Sequence, residues 1–233
     1  MRIFVDPGKL AAGELVIAGD EHHYLARVRR ARTGDRLELV DGEGRRAAAT
    51  IVRIGDADTT LAVATPEAIV AKPPLVRVLV PLIKGDRMDT CLEKLVEVGV
   101  DAIVVWPAAR SVVRLEADRR DARIAKYQAA LVAAARQCGR AQVPSIAWAD
   151  SLPAALTSLP AGARFVLDPT SDGALDPGDA TDVTFVSGPE GGLAPSELET
   201  LSAFTPVGLG PRILRAETAP VVAVALVRAA TRS

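Results

Sequence analysis

From residue 75 onward the chain alternates short apolar runs with stretches of helical spacing, and nothing else in the sequence limits its fold so strongly. "VRVLVPLI", "DAIVVWP", "ARFVLD" and "VTFVSG" have the length and β-branched content of buried strands. Between the first two, "RMDTCLEKLVEVGV" sets Met88, Leu92, Leu95 and Val96 on one helical face and stops at Gly99. The spacing predicts a long Ala-rich helix over about 118–137, shorter helices over "LPAALTSL" and "PSELETLSA", and a closing helix over about 217–230. Strands separated by helices return to the sheet in the same direction, so they form a mostly parallel sheet covered on both faces. The fold class of this part is α/β.

The first 70 residues read differently. "RIFV", "ELVIA", "DRLELVDG" and "RAAATIVRI" are short β pieces, several alternating apolar with polar and separated by Gly or Asp turns. Only "DEHHYLARVRRAR" interrupts them, with Asp20 placed to cap a helix carrying Leu25 and Val28 on one side. "AKPPL" at 71–75 disfavours helix and central strand alike, so it is read as the linker between a β-rich domain over 1–70 and an α/β domain over 74–233.

Composition narrows the setting. Two cysteines, Cys91 and Cys138, far apart in the chain, supply neither a disulfide framework nor a thiolate zinc site, which favours a reducing cytoplasm and no metal. Both are expected in the core. "MRIFVDPGKL" lacks the apolar stretch of a signal peptide, and no window has the ~18 apolar residues of a membrane span. The net charge of -1 gives no hint of a polyanionic partner, so any such hint is local.

In parallel α/β sheets ligands bind outside the carboxyl ends of the strands, which directs attention to "LDPTSDG", "SGPEGGLAPSELE" and "LGPRILRAET". Neither a Gly-Lys-Ser/Thr loop nor a G-x-G-x-x-G turn is present, which disfavours triphosphates and dinucleotides. In the second loop Gly188, Gly191 and Gly192 flank Pro189 and Glu190; alone, such a turn reads as punctuation. In the third, Ile213 and Leu214 lie between Arg212 and Arg215, with Glu217 and Thr218 opening the last helix. Apolar residues with backbone amides suit a flat heteroaromatic ring, and the charged neighbours suit its polar groups.

The successive segments "KGDRMDTCLEKLVEVGVDAIVVWPAARSVVR", "RQCGRAQVP", "VSGPEGGLAPSELE" and "LGPRILRAETA" resemble the signatures of the RsmE family of SPOUT methyltransferases. "EHHYLARVRRARTGDRLELVDGEG" is similar to that family's PUA-like RNA-binding domain, so the likeness covers nearly the whole chain. The resemblance implies an α/β trefoil-knot methyltransferase domain behind a small PUA-like β-barrel domain. It implies methyl transfer from S-adenosyl-L-methionine to N3 of a uridine in 16S rRNA of the small ribosomal subunit, by a homodimer. On this chain it implies that Leu167, Gly188, Leu209, Gly210, Ile213 and Leu214 hold the adenosine part. Gly188, Gly191 and Gly192 would let the chain pass close to the ribose and methionine portions, with Glu190, Arg212 and Thr218 in the same cleft. Arg215, Arg87 or Arg212 would stabilise a uracil anion, and Glu217 or Glu190 would accept a proton; the residues do not choose among them. An alternative for Arg215 and Glu217 is a plain salt bridge.

Local charge supports an RNA partner. Arg27, Arg29, Arg30, Arg32 and Arg36 crowd "RVRRARTGDR", where they read either as phosphate contacts or as a solvated helix face. Lys84, Arg87, Arg110, Arg114, Arg136 and Arg140, with Gln137, are a second set expected on the α/β domain. Aromatic residues make up only 3%, so recognition by shape and phosphate is favoured over base stacking. His22 and His23 are read as capping or packing residues. Ala194 stands where a capping Ser or Thr is expected, and either Pro195 or Ser196 with Glu199 would compensate. Two rival classes remain, an RNA-binding SPOUT module without transfer activity and an α/β oxidoreductase, which the missing dinucleotide fingerprint disfavours.

Overall fold

The structure is a computed structural model and describes residues 1–231. The chain divides into two compact units: Met1–Val70 with Ala135–Val143, and Ala71–Ala134 with the residues from Pro144 on.

The first unit is built on β1 (Arg2–Phe4), β2 (Gly13–Ala18), β3 (Arg36–Val40), β4 (Arg45–Ile54), β5 (Asp58–Val63) and β6 (Glu67–Ala68). The sheet runs β1-β3-β4-β5-β2, with β6 on β4. Ile3 of β1 and Ile17 of β2, the two end strands, enter one core with Leu37, Leu39, Ile51 and Leu61, so the sheet curls around a shared interior. No strand is predicted over 58–63, where Thr59 and Thr60 break the apolar pattern, yet β5 lies between β4 and β2. Thr59 is fully buried, and its hydroxyl lies 2.9 Å from His22 Nδ1, while His22 Nε2 lies 3.3 Å from the Asp56 carbonyl. His22 therefore packs, as its sequence position suggests, and supplies the polar partner that lets a threonine sit inside.

The helical interruption is not the regular helix that the spacing predicts. α1 (Gly19–His23) starts from Ala18, with Asp20 inside its first turn, and runs into a π-helical turn over Tyr24–Val28. The wider π turn separates residues three apart, so Leu25 is buried while Val28 is 61% exposed. Residues 135–143 join this unit through Val143 N, which donates to the Gly42 carbonyl at 3.0 Å. Arg136, Gln137 and Arg140, expected on the α/β domain, therefore belong to the first unit. The Arg136 guanidinium lies over the Phe4 ring and 3.6 Å from Glu21.

The second unit has the expected α/β architecture. Its strands are β7 (Leu75–Pro81), β8 (Ala102–Trp106), β9 (Ser145–Trp148), β10 (Ala163–Leu167), β11 (Asp182–Val186) and β12 (Thr205–Val207). Its helices are α2 (Asp86–Val98), α3 (Arg120–Cys138), which ends in the first unit, α4 (Leu152–Leu156), α5 (Pro195–Thr200) and α6 (Ala219–Ala230). The sheet order is β12-β10-β11-β7-β8-β9, and every pair is parallel. The chain builds outward from β7 to β9, then restarts on the other side of β7. The carboxyl ends of β12, β10 and β11 are thereby neighbours at the switch in strand order, where a crevice opens.

Two glycines at that edge admit close backbone passage. Gly208 N donates to the Gly173 carbonyl at 3.1 Å, and a Cβ on Gly208 would fall 2.1 Å from the Ser171 carbonyl oxygen. No side chain fits there, so the turns after β10 and β12 press directly together.

α2 and α6 pack on each other and are tied at their ends by Arg228. Its guanidinium donates to the Gly99 carbonyl at 2.9 Å, to the Pro74 carbonyl at 2.7 Å and to the Asp101 carboxylate. Gly99, at φ 101°, closes α2 in the left-handed cap the sequence predicts. Cys91 of α2 is fully buried, and burial, with the nearby Glu217 charge adding to it, pushes its thiol up to about 12. Cys138, expected in the core, is exposed because it ends α3.

Arg228→Ala should lower stability by about 2 kcal/mol, the cost of removing a charge-assisted, partly buried set of hydrogen bonds, seen as a lower midpoint in denaturant titration. At pH 8 a thiol reagent should modify Cys138 and leave Cys91 unmodified until the chain unfolds. The Cys91 shift has a pH signature: its stabilising contribution is complete below the unfolded thiol value of 9.0 and is lost as pH rises toward about 12. Modification of both thiols in the folded chain would contradict this packing.

Candidate functional site

The three turns that follow β10, β11 and β12 enclose one cavity of about 560 Å³, a size suited to a small organic ligand. Leu167, Leu209, Ile213 and Leu214 give it apolar walls, joined by Val166, Val207, Leu193 and Leu198. Ile213 is 85% exposed, a large apolar side chain held at the opening with little protein over it. The turn after β10 is stiffened from within: Asp168 Oδ1 accepts from Thr170 N at 2.8 Å and from Thr170 Oγ1 at 2.7 Å, and Asp168 N donates to the Val207 carbonyl at 3.0 Å. Asp168 and Thr170 border the cavity and were not singled out in the sequence, although their loop was. The signal was the Asp-x-Thr spacing of an Asx turn.

The glycine loop follows directly from β11, whose ladder is prolonged by Ser187 N donating to the Leu79 carbonyl at 3.0 Å. Gly188, Glu190 and Gly192 border the cavity, as does Gly210 in the third turn. Gly192 at φ +70° and Gly210 at φ +111° hold backbone conformations that a side chain would strain, and a Cβ on either would meet no protein atom within 4 Å. Gly188 acts otherwise: a Cβ there would meet Leu193 Cγ at 3.2 Å, so its missing side chain makes room for the fold of the loop. Gly191 does not border the cavity; it faces outward, where a Cβ would fall 3.2 Å from the Cβ of Arg110. Thr218 is also outside the lining, at the start of α6.

Charge is arranged at the rim. Arg87 of α2 and Glu190 of the glycine loop both border the cavity and pair at 3.1 Å. Arg212 and Arg215 border it from the third turn. Arg215 is 74% exposed and stands 3.9 Å from Glu217, too long for a strong pair. Glu217 does not line the cavity; its side chain is 13% exposed, and Oε2 is buried with no hydrogen-bond partner among the described residues. The salt bridge anticipated between these two residues is present, as a long pair with Arg215 largely in solvent.

α5 starts at Ala194 with Pro195 in its first turn, as anticipated, but the compensating carboxylate is Glu197, not Glu199. Glu197 accepts from Ala194 N and from Ala109 N, each at 2.7 Å. Arg110 donates to the carbonyls of Gly191, at 3.1 Å, and Leu193, at 3.2 Å, so its charge is engaged by the glycine loop. Of the other basic residues singled out, Arg27, Arg29, Arg30 and Arg32 are exposed in the first unit and Lys84 and Arg114 in the second. Arg29 donates to the Tyr24 hydroxyl at 2.8 Å and lies over its ring, and Arg30 has a φ of 51°, unusual for a residue with a side chain.

Comparison with known proteins agrees with this architecture. Residues 71–228 match the family model of an RNA methyltransferase domain, and residues 17–59 match an RNA methyltransferase PUA domain. The ribosomal RNA small subunit methyltransferase E of Mycobacterium bovis is 32% identical, over 97% of this chain and 90% of its own length. The protein of the same name from Bacillus subtilis is 28% identical, over 91% of this chain and 88% of that one. Among solved structures, a ribosomal RNA small subunit methyltransferase E from Neisseria gonorrhoeae bound to S-adenosyl methionine matches with a TM-score of 0.76 and 26% identity, over 98% of this chain and 97% of that one. A putative methyltransferase from Legionella pneumophila in complex with SAM matches with a TM-score of 0.75 and 27% identity, over 98% and 97%. A parallel sheet with its carboxyl-edge cavity, an amino-terminal β unit and these likenesses along nearly the whole chain lead to one assignment: the chain belongs to the RsmE family of SPOUT RNA methyltransferases, those called ribosomal RNA small subunit methyltransferase E.

Proposed function

We propose that the protein methylates N3 of a uridine in 16S rRNA, with S-adenosyl-L-methionine bound in the cavity at the carboxyl edge of β10, β11 and β12. The observation that carries this reading is the convergence of three turns on one apolar cavity whose glycines, Gly192 and Gly210, leave open space where side chains would stand. The residues fit the donor: apolar walls for a heteroaromatic ring, backbone groups for polar edges, and the Glu190 carboxylate for an amine or hydroxyl. When bound, the donor supplies a methyl group already activated on a sulfonium.

What the chain contributes is alignment and charge. Leu167, Leu209 and Leu214 orient the ring, and the glycine loop sets how far the methyl end reaches toward the rim. Arg215 is the cation we assign to the uracil as N3 loses its proton, because it borders the cavity and its nearest carboxylate is 3.9 Å away. Arg87 is held by Glu190, so Glu190 accepts the proton only as that pair opens. Glu217 lies off the cavity, with Oε1 3.9 Å from Arg215.

The exposed Arg27, Arg29, Arg30 and Arg32 take rRNA phosphates, with Lys84 beside the cavity-bearing unit's α2. A homodimer acting on the small ribosomal subunit in the cytoplasm completes the reading, and among the described residues no helix is long and apolar enough to cross a membrane.

Calorimetry should show S-adenosylmethionine binding, and small-subunit rRNA from cells without the gene should lack one 3-methyluridine that the restored gene returns. Binding without any methyl incorporation would leave an RNA-binding module instead. Gly210→Val should weaken donor binding about tenfold or more, through strain at positive φ and a filled cavity, with RNA affinity unchanged. Replacing Arg29 and Arg30 by Ala should weaken RNA binding and reduce the log-log salt slope by about one for each lost phosphate contact.

A further inference from the structure

Residues 107–116 follow β8 and do not border the cavity, yet they are joined to the glycine loop and its helix by hydrogen bonds at two successive residues. Ala109 N donates to Glu197 Oε1, whose other oxygen accepts from Ala194 N, each at 2.7 Å. Arg110 Nη1 donates to the carbonyls of Gly191 and Leu193 at 3.1 Å and 3.2 Å. Glu197 is only 9% exposed, and a carboxylate so far inside is stable because backbone N–H groups satisfy both oxygens. Ala108, one residue earlier, is buried in the same apolar cluster as Leu79, Val186 and Leu201, so the near end of this segment is fixed to the sheet.

The glycine loop is therefore a wall one residue thick. Gly188, Glu190, Gly192 and Leu193 face the cavity, whereas Gly191 faces Arg110, which comes close only because residue 191 has no side chain. Neither Arg110 nor Glu197 touches the cavity, so each acts through the loop.

We propose that Arg110 and Glu197 are positioning residues for methyl-donor binding, holding the outer side of the glycine loop so that its inner side keeps the shape that admits the donor. This rests on the reading that the donor occupies the cavity. Arg110 is then a tie between two loops and not the phosphate contact that its charge suggests in the sequence. The tie works in both directions: a donor that orders the glycine loop also orders residues 109–111.

The test uses the full chain with Arg110→Ala, Arg110→Lys and Glu197→Gln. It measures donor affinity by calorimetry, KM for donor and for rRNA separately, and hydrogen exchange of residues 188–194 without donor. Arg110→Ala should raise the Kd and KM for S-adenosylmethionine roughly tenfold, the effect of losing a charge-assisted hydrogen bond, while kcat at saturating donor and KM for rRNA stay put. Exchange at 191–194 should speed up. Arg110→Lys should recover part of the affinity, since a point charge reaches one carbonyl more readily than two. Glu197→Gln should fall between, because an amide oxygen can still accept one of the two N–H groups. A wild type that binds donor beside an Arg110→Ala variant that binds it equally well overturns the proposal alone. So does a raised KM for rRNA with a salt slope smaller by about one, the signature of a phosphate contact. A wild type that takes no S-adenosylmethionine overturns the functional reading and this assignment with it, whereas unchanged exchange at 191–194 in Arg110→Ala overturns the tie whatever the donor does.

Discussion

The parallel pairing of β10 with β11 on one side and β12 on the other brings three distant turns into one place. Residues 168, 188 and 210 lie far apart in the sequence, but the strands that precede them are neighbours with a shared direction, so their carboxyl ends form one edge. A parallel sheet leaves that edge open because every connection must cross back over a face, and the strand order reverses at this point. The cavity follows from topology before any side chain is considered. The side chains then determine what it can accept.

An edge where three turns meet is crowded, and the crowding is resolved by glycine in two opposite ways. Gly173 and Gly208 let backbones touch, so that the turns after β10 and β12 form a single rigid floor. Gly192 and Gly210 do the reverse and hold space open, at φ angles that a side chain would strain. A glycine count in a loop therefore says little about ligands. The decisive question is what a Cβ would meet, and inside one six-residue stretch the answers differ: Leu193 for Gly188, Arg110 for Gly191 and nothing for Gly192.

This also explains how far the sequence could be read. Apolar runs and helical spacing report burial directly, so the α/β alternation, the Gly99 stop and the three carboxyl-edge loops were legible. β5 was not, because its buried threonines look polar until His22 is known to face one of them. Nor was the return of residues 135–143 to the first unit, since a helix pattern carries no information about which body its end will pack on. The contacts of Arg110, named only for its charge, and of Glu197 were not legible for a third reason. Their partners are backbone groups about 80 residues away, and a side chain bonded to backbone leaves no complementary residue in the sequence to find.

The rim charges bear on the proposed chemistry as a group. Arg87, Arg212 and Arg215 stand against Asp168 and Glu190, three cations against two carboxylates, so the cavity border carries one excess positive charge. Loss of the N3 proton puts negative charge on the uracil, and methyl transfer then cancels it against the sulfonium, leaving both products neutral. A positive rim stabilises that anion and so favours loss of the proton, while it raises the cationic donor relative to the neutral product, at the expense of donor affinity. That expense is limited because Arg215 is largely in solvent and screened by salt, and because Glu190 holds Arg87. In the proposed complex the same rim would face rRNA, a polyanion whose phosphates it attracts. The site is thus better suited to donor and rRNA bound together than to the donor alone, which is the order of preference a transferase needs if the methyl group is not to be lost to water.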